Sequence, residues 1–297
     1  MFSGMSAFPL TPLAHDAVDE RAFAGLVQRL AAAGVDSITA LGSTGAAAYL
    51  TLEERARVAA IAVEHAQGVP VIVGVSALRT SHVLANVRSA EQAGAQGLLL
   101  APMSYQPLLG GDVYELFRTV VESTDLPVIL YDNPTTTHFA FTDQLYARIA
   151  LLPGIASIKI PGVPQDASAA RARVEQIRSL VPEHVTIGVS GDAVATDGLQ
   201  AGCDAWYSVV GGTLPELAMN LTRLSLSGRS VDARAESDRL LPLWELFSEC
   251  GGSLRVVAAI AEELELVAPR CLPLPIQGLS DAQRARVAEV LETLDLR

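Results

Sequence analysis

A chain of 297 residues, 50% hydrophobic and 18% charged, can bury a large core and lacks the composition of a disordered protein. Its formal charge of −12 argues against a nucleic-acid or anionic-membrane partner, because both require clustered basic groups to neutralise phosphate. Cys203, Cys250 and Cys271 are odd in number, widely spaced and without a C-x-x-C pair, so neither a disulfide framework nor a zinc site is expected.

The first segment, MFSGMSAFPLTPL, has no basic n-region and no sustained apolar stretch, so no secretory signal is predicted. The longest apolar runs, such as VPVIVGVSAL, are too short to span a bilayer. These features point to a cytoplasmic protein that handles small molecules.

Along the chain, short β-rich apolar runs alternate with amphipathic segments rich in Ala, Leu, Arg and Glu, at a repeat of about thirty residues. Strands are predicted at 4–8, 36–41, 70–76, 97–102, 127–132, 155–160, 184–190 and 204–210. Between them, Thr51, Thr142 and Thr213 read as helix N-caps, with Glu53 and Glu54 at the positive end of one macrodipole and Pro215 in the first turn of another. Gly34, Gly94 and Gly202 sit where a helix would close on a left-handed residue. Eight such units predict a TIM (β/α)8 barrel over residues 1–228, followed by a helical extension over 229–297. An open doubly wound sheet is the alternative, weakened by the lack of a G-x-G-x-x-G after the first strand.

In a parallel barrel, functional groups gather at the C-terminal ends of the strands. Lys159, near the end of the sixth strand, is the only lysine among 21 basic residues; the other 20 are arginine. A snorkelling lysine is the plain reading of such a residue. Two facts favour another: the chain has avoided lysine elsewhere, and the flanking Ile158 and Ile160 make the segment hard to expose. A desolvated amine loses its proton readily and can attack a carbonyl carbon, which a guanidinium cannot do. Tyr131, at a matching depth on the fifth strand, is either a core aromatic or a phenol able to relay protons beside that amine.

The loop after the second strand, Gly42-Ser43-Thr44-Gly45, reads as an ordinary turn or as a nest of N–H groups and hydroxyls suited to a carboxylate. With a nucleophilic lysine it suggests a 2-oxo acid. Gly211-Gly212-Thr213 lies where many barrels bind phosphate, but no basic residue is near it in sequence. The five histidines have no metal-ligand spacing, and Asp132 and Asp192 do not form an obvious pair.

The motifs LGSTG with LTLEER, YDNP, SIKIPG, SGD and WYSVVGG, in this order and at these spacings, resemble the dihydrodipicolinate synthase and N-acetylneuraminate lyase family over almost the whole chain. The resemblance implies a barrel with a three-helix extension, assembled as a homotetramer built as a dimer of dimers. It implies that Lys159 forms a Schiff base with pyruvate or a related 2-oxo acid and that Tyr131 shuttles protons. It further implies that Ser43 and Thr44 hold the carboxylate, with Thr44 joining the relay, and that Tyr207 lines the pocket.

Departures from the family pattern bear on the second substrate. Thr136 stands where dihydrodipicolinate synthases carry a carboxylate-gripping arginine, and Met103 and Ser104 stand at their paired tyrosines. Ala193 and Val194 occupy the places of the acidic residues with which the lyases hold sugar hydroxyls, and Ala46 that of a common glutamate. Arg79 and His138 are the remaining candidates for a second anion contact.

The expected function is therefore a class I, Schiff-base lyase or aldolase on a small 2-oxo acid, with no metal or organic cofactor. The alternatives are 4-hydroxy-tetrahydrodipicolinate synthase activity proper, a 2-keto-3-deoxy sugar acid aldolase or dehydratase, and a non-catalytic metabolite-binding paralogue. A pyridoxal phosphate enzyme built on Lys159 is disfavoured for want of a phosphate loop.

Overall fold

The parallel strands of a closed barrel are buried on both faces, which is why they read as continuous apolar runs in the sequence. The computed structural model describes residues 1–297. Eight parallel strands close in sequence order: β1 (Gly4–Ala7), β2 (Ser37–Ala40), β3 (Val71–Gly74), β4 (Gly97–Leu100), β5 (Val128–Tyr131), β6 (Ile155–Ile160), β7 (Thr186–Val189) and β8 (Ala205–Ser208). β8 pairs with both β7 and β1, so the sheet has no edge, and the open-sheet alternative is set aside. Every predicted strand is present, most of them trimmed by one to three residues at the ends.

The surrounding helices are α1 (Glu20–Ala32), α2 (Leu52–His65), α3 (Thr80–Ala93), α4 (Gly110–Val121), α5 (Asp143–Ala150), α6 (Ala167–Arg178), α7 (Ala195–Gln200) and α8 (Pro215–Leu226). Thr51 caps α2 in a reciprocal capping box with Glu54, and Thr142 caps α5 through the Leu145 N–H. Gly34, Gly94 and Gly202 all have positive φ at helix ends. Thr213 is not a cap. A 3₁₀ turn over Val210–Gly212 runs into it, α8 is entered through Leu214 with Pro215 in the first turn, and the buried Thr213 hydroxyl has no partner.

After α8 come α9 (Ser230–Arg239), α10 (Leu241–Glu249), α11 (Ser253–Glu263) and α12 (Asp281–Thr293). These are four segments rather than the three the resemblance implies. α9 and α10 are nearly continuous, and the missing N–H of Pro242 in the first turn of α10 breaks them at Leu240. No helix is long and apolar enough to cross a membrane.

The period-2 alternation of the strands sorts side chains between two cores. Outward residues such as Ile38, Val73, Leu98, Leu130, Ile158 and Ile187 join one large cluster beneath the helices. Inward residues form a small cluster at the barrel centre: Phe8, Ile72, Leu99, Ala101, Ile129, Tyr131, Ala205 and Tyr207. Ile158 and Ile160 therefore pack under the helices, and the same alternation turns Ser157 and Lys159 into the barrel.

Candidate active site

Lys159 ends up in the barrel mouth because β5 and β6 pair with Tyr131 directly opposite it. Its side chain is 2% exposed. The Nζ lies 3.8 Å from the ring centroid of Phe8, 4.1 Å from that of Tyr131 and 5.7 Å from that of Tyr207. Three aromatic faces attract a cation, yet they supply no hydrogen-bond acceptor at the amine. Burial consequently pulls the amine down from 10.5 to about 7, against a smaller opposing pull from the Asp192 carboxylate. Near neutral pH a substantial fraction of it carries a free lone pair.

Tyr131 is also buried, and its hydroxyl is the centre of a small network. It accepts a hydrogen bond from Asn133 Nδ2 at 2.7 Å and shares another with Ser43 Oγ at 3.3 Å. Burial raises the phenol above its usual range, while both hydrogen bonds act to lower it. The Asn133 amide donates in addition to Thr136 Oγ1 at 3.0 Å.

The loop that carries Ser43 is held by backbone strain and by a buried arginine. Leu41 takes a left-handed conformation with φ 59°, a geometry costing roughly 1–2 kcal/mol for a residue with a Cβ. Gly74 at the end of β3 makes room for it, since a Cβ there would lie 1.9 Å from the Leu41 carbonyl oxygen. Arg55 on α2 then donates to the carbonyls of Ala47, Gly74 and Ser76, tying this loop to the end of β3. The N–H groups of Ser43 and Thr44 are left without an acceptor in the chain, as an anion nest requires.

Tyr207 reaches the site from β8. Gly188 opposite Lys159 on β7 admits its ring, because a Cβ at that position would lie 2.2 Å from it. Its hydroxyl points down the barrel to Ser157 Oγ at 2.7 Å, so Tyr207 presents its ring rather than a polar group to the amine. Asp192, in the loop after β7, accepts from Trp206 Nε1, Ser208 Oγ and the N–H groups of Val209 and Val210, clamping the end of β8.

Beside Tyr131 opens a cavity of about 270 Å³, lined by that tyrosine but not by Lys159, Phe8 or Tyr207. Its lining combines Ser43, Tyr131, Asn133 and Thr136 with the apolar Leu41, Ala47, Leu78, Leu99 and Met103. Of the residues the sequence singled out, Lys159, Tyr131, Ser43 and Tyr207 are brought together, with Thr136 at the edge. Thr44 is buried beside them but does not line the cavity, and the hydroxyl bonded to Tyr131 is that of Ser43. Arg79 and His138 are exposed and lie outside the lining. The sequence carries no signal that singles out Asn133, Phe8, Ser157 or Ser76, and it marks Asp192 only as a strand-end carboxylate. The Asn-Pro step gives a turn signal and no sign that the amide would fold back on Tyr131.

Known proteins share this sequence pattern and this fold. The sequence model of the dihydrodipicolinate synthetase family matches residues 1–294. A solved dihydrodipicolinate synthase from Agrobacterium tumefaciens is 44% identical, with a TM-score of 0.94 over 99% of this chain and 98% of that one. A prophage protein of the dihydrodipicolinic acid synthase family from E. coli K12, solved with pyruvate, is 25% identical with a TM-score of 0.90 over both chains in full. Among curated proteins, the 4-hydroxy-tetrahydrodipicolinate synthase of Anaplasma marginale (strain Florida) is 31% identical over 99% of this chain and 95% of its own length. With the barrel, the buried lysine and matches running from end to end, the chain belongs to the dihydrodipicolinate synthetase family.

Proposed function

We propose that the protein is a Schiff-base lyase or aldolase acting on pyruvate or a related small 2-oxo acid, with Lys159 as its nucleophile. One observation carries the reading: the sole lysine is buried under three aromatic rings with its amine held near pH 7 by desolvation. A lysine kept only for its charge has no reason to lie there. The pyruvate bound in the E. coli K12 relative supports the choice of donor.

In this scheme the neutral Lys159 amine attacks the C2 carbonyl of the 2-oxo acid, whose carboxylate rests on the Ser43 and Thr44 N–H groups. Tyr131 protonates the carbinolamine oxygen, water leaves, and an iminium forms. The Tyr131 phenolate left by that step takes a proton from C3, giving an enamine able to form a carbon-carbon bond, and the reverse path breaks one. The iminium is itself the electron sink, so the scheme calls for no metal or organic cofactor. Ser43 and Asn133 hold the phenol oxygen in place throughout. Thr44 contributes its N–H and, in the wider relay, its hydroxyl.

The reading extends to a homotetramer working in the cytoplasm, with residues 1–228 carrying the chemistry and 229–297 forming the helical extension that begins with α9. Light scattering on the purified chain checks the assembly.

Borohydride added together with pyruvate tests the chemistry. A reduced adduct is expected on the peptide containing Lys159, and the N-terminal amine is the only other primary amine in the chain. Absence of that adduct with pyruvate and with a panel of other 2-oxo acids would defeat the reading.

A further inference from the structure

Nothing lining the cavity beside Tyr131, the register partner of Lys159, carries a charge. None of its 18 lining residues is Asp, Glu, Lys, Arg or His. The nearest candidates for an anion contact, Arg79 and His138, are exposed and stand outside it. Ten of the 18 are hydrophobic, among them Leu41, Ala47, Leu99 and Met103, with Tyr49 and Leu78 the exposed ones.

Most of the polar groups that do line the cavity are already engaged. Ser43 and Asn133 bond to Tyr131, and Asn133 also bonds to Thr136. Ser76 Oγ accepts from the Ala101 N–H, and Thr137 Oγ1 donates to the Asn133 carbonyl. A second carboxylate would lose its water here and meet no counter-charge. A polyhydroxylated chain would exchange water for too few free partners. An uncharged apolar group loses nothing and gains contact with the apolar lining residues.

Resting on the Schiff-base reading above, we infer that the partner of the lysine-bound 2-oxo acid is an uncharged aldehyde with an apolar chain or ring, packed against Leu41, Leu99 and Met103. C3 of the enamine attacks the aldehyde carbon and a carbon-carbon bond forms. The carbonyl π pair moves to oxygen, which takes the proton of the Tyr131 hydroxyl. The nitrogen lone pair re-forms the iminium, and water then hydrolyses it, releasing a 4-hydroxy-2-oxo acid and the free amine. Solvent returns the phenol proton. Run backwards, the same steps cleave such an acid into a 2-oxo acid and an apolar aldehyde.

The test holds pyruvate at saturation and compares kcat/KM for hexanal and benzaldehyde with that for succinic semialdehyde and glyceraldehyde, alongside borohydride trapping on the same preparation. The apolar aldehydes are expected to lead by about 30-fold or more, the factor that roughly 2 kcal/mol of unmatched desolvation produces. Replacing Thr136→Arg sets a guanidinium at the cavity edge and is expected to raise the semialdehyde relative to hexanal by about tenfold or more. If no adduct forms at Lys159, the Schiff-base reading has failed and this inference with it. If the adduct forms but the semialdehyde or glyceraldehyde equals or exceeds the apolar aldehydes, or no apolar aldehyde reacts above background, the inference alone is overturned. An unchanged ratio in the Thr136→Arg variant also contradicts it.

Discussion

Tyr131 and Lys159 are register partners on adjacent strands, and the lysine Nζ lies 4.1 Å from the centre of the tyrosine ring. The ring therefore has two separable tasks. Its face helps keep water from the amine, while its hydroxyl, fixed by Ser43 and Asn133, is the proton-bearing group. Tyr131→Phe keeps the first and deletes the second. Adduct formation with pyruvate is expected to slow by about 10²–10⁴-fold, the usual loss of a general acid-base group, with the fold intact by circular dichroism. An undiminished trapping rate would remove Tyr131 from the proton path.

Asn133 acts on that hydroxyl from outside the reaction. Its amide donates at 2.7 Å and helps hold the phenol below the level that burial alone would impose. Asn133→Leu should therefore move the alkaline limb of the kcat profile to higher pH and lower kcat, while the acidic limb set by Lys159 stays in place. Movement of both limbs together would mean that the substitution had only loosened the loop.

Asp192 opposes the desolvation of Lys159 electrostatically and fastens β8 through four donors. Asp192→Asn removes the charge and turns an N–H₂ group toward donors that need an acceptor. Stability should fall by about 1–3 kcal/mol in reversible denaturation. The midpoint for adduct formation should move below the wild-type value near 7, because the carboxylate that favours the ammonium is gone. An upward shift would contradict the sign of that interaction.

Burying the amine also costs stability, in a way that pH reveals. The folded state holds Lys159 near 7, whereas the unfolded chain titrates near 10.5, so between these values the unfolded state binds more protons and stability rises with pH. Lys159→Met lacks this penalty. The variant should be more stable than the wild type below pH 7 by a constant margin, which shrinks as pH climbs toward 10.5. A margin independent of pH would show that the lysine is not desolvated.

The architecture was legible because a closed parallel sheet leaves a strong local record: apolar strands, capped helices such as the one opened by Thr51 and Glu54, and glycines at helix ends. Lys159 and Tyr131 stood out for related reasons, one by its rarity and both by their strand-end positions. What the sequence withheld depends on contacts between distant segments. The choice between Ser43 and Thr44 as partner of Tyr131 is made by the left-handed turn at Leu41, which Gly74 on another strand permits. The bond from Asn133 requires the one-turn helix begun by Pro134, and the Asp192 clamp requires the end of β8. Thr213 looked like a cap because its neighbours resemble a helix start, but the preceding 3₁₀ turn absorbs it.

The central claim is that Lys159 is an amine kept reactive by burial. Its most direct test is the rate constant for borohydride-trapped pyruvate adduct formation at Lys159 as a function of pH. Burial of the amine predicts a rise with increasing pH through a midpoint near 7, followed by a plateau. A rate still climbing toward a midpoint near 10.5 would contradict it, because it would mean that the amine meets its substrate as an ordinary solvated lysine.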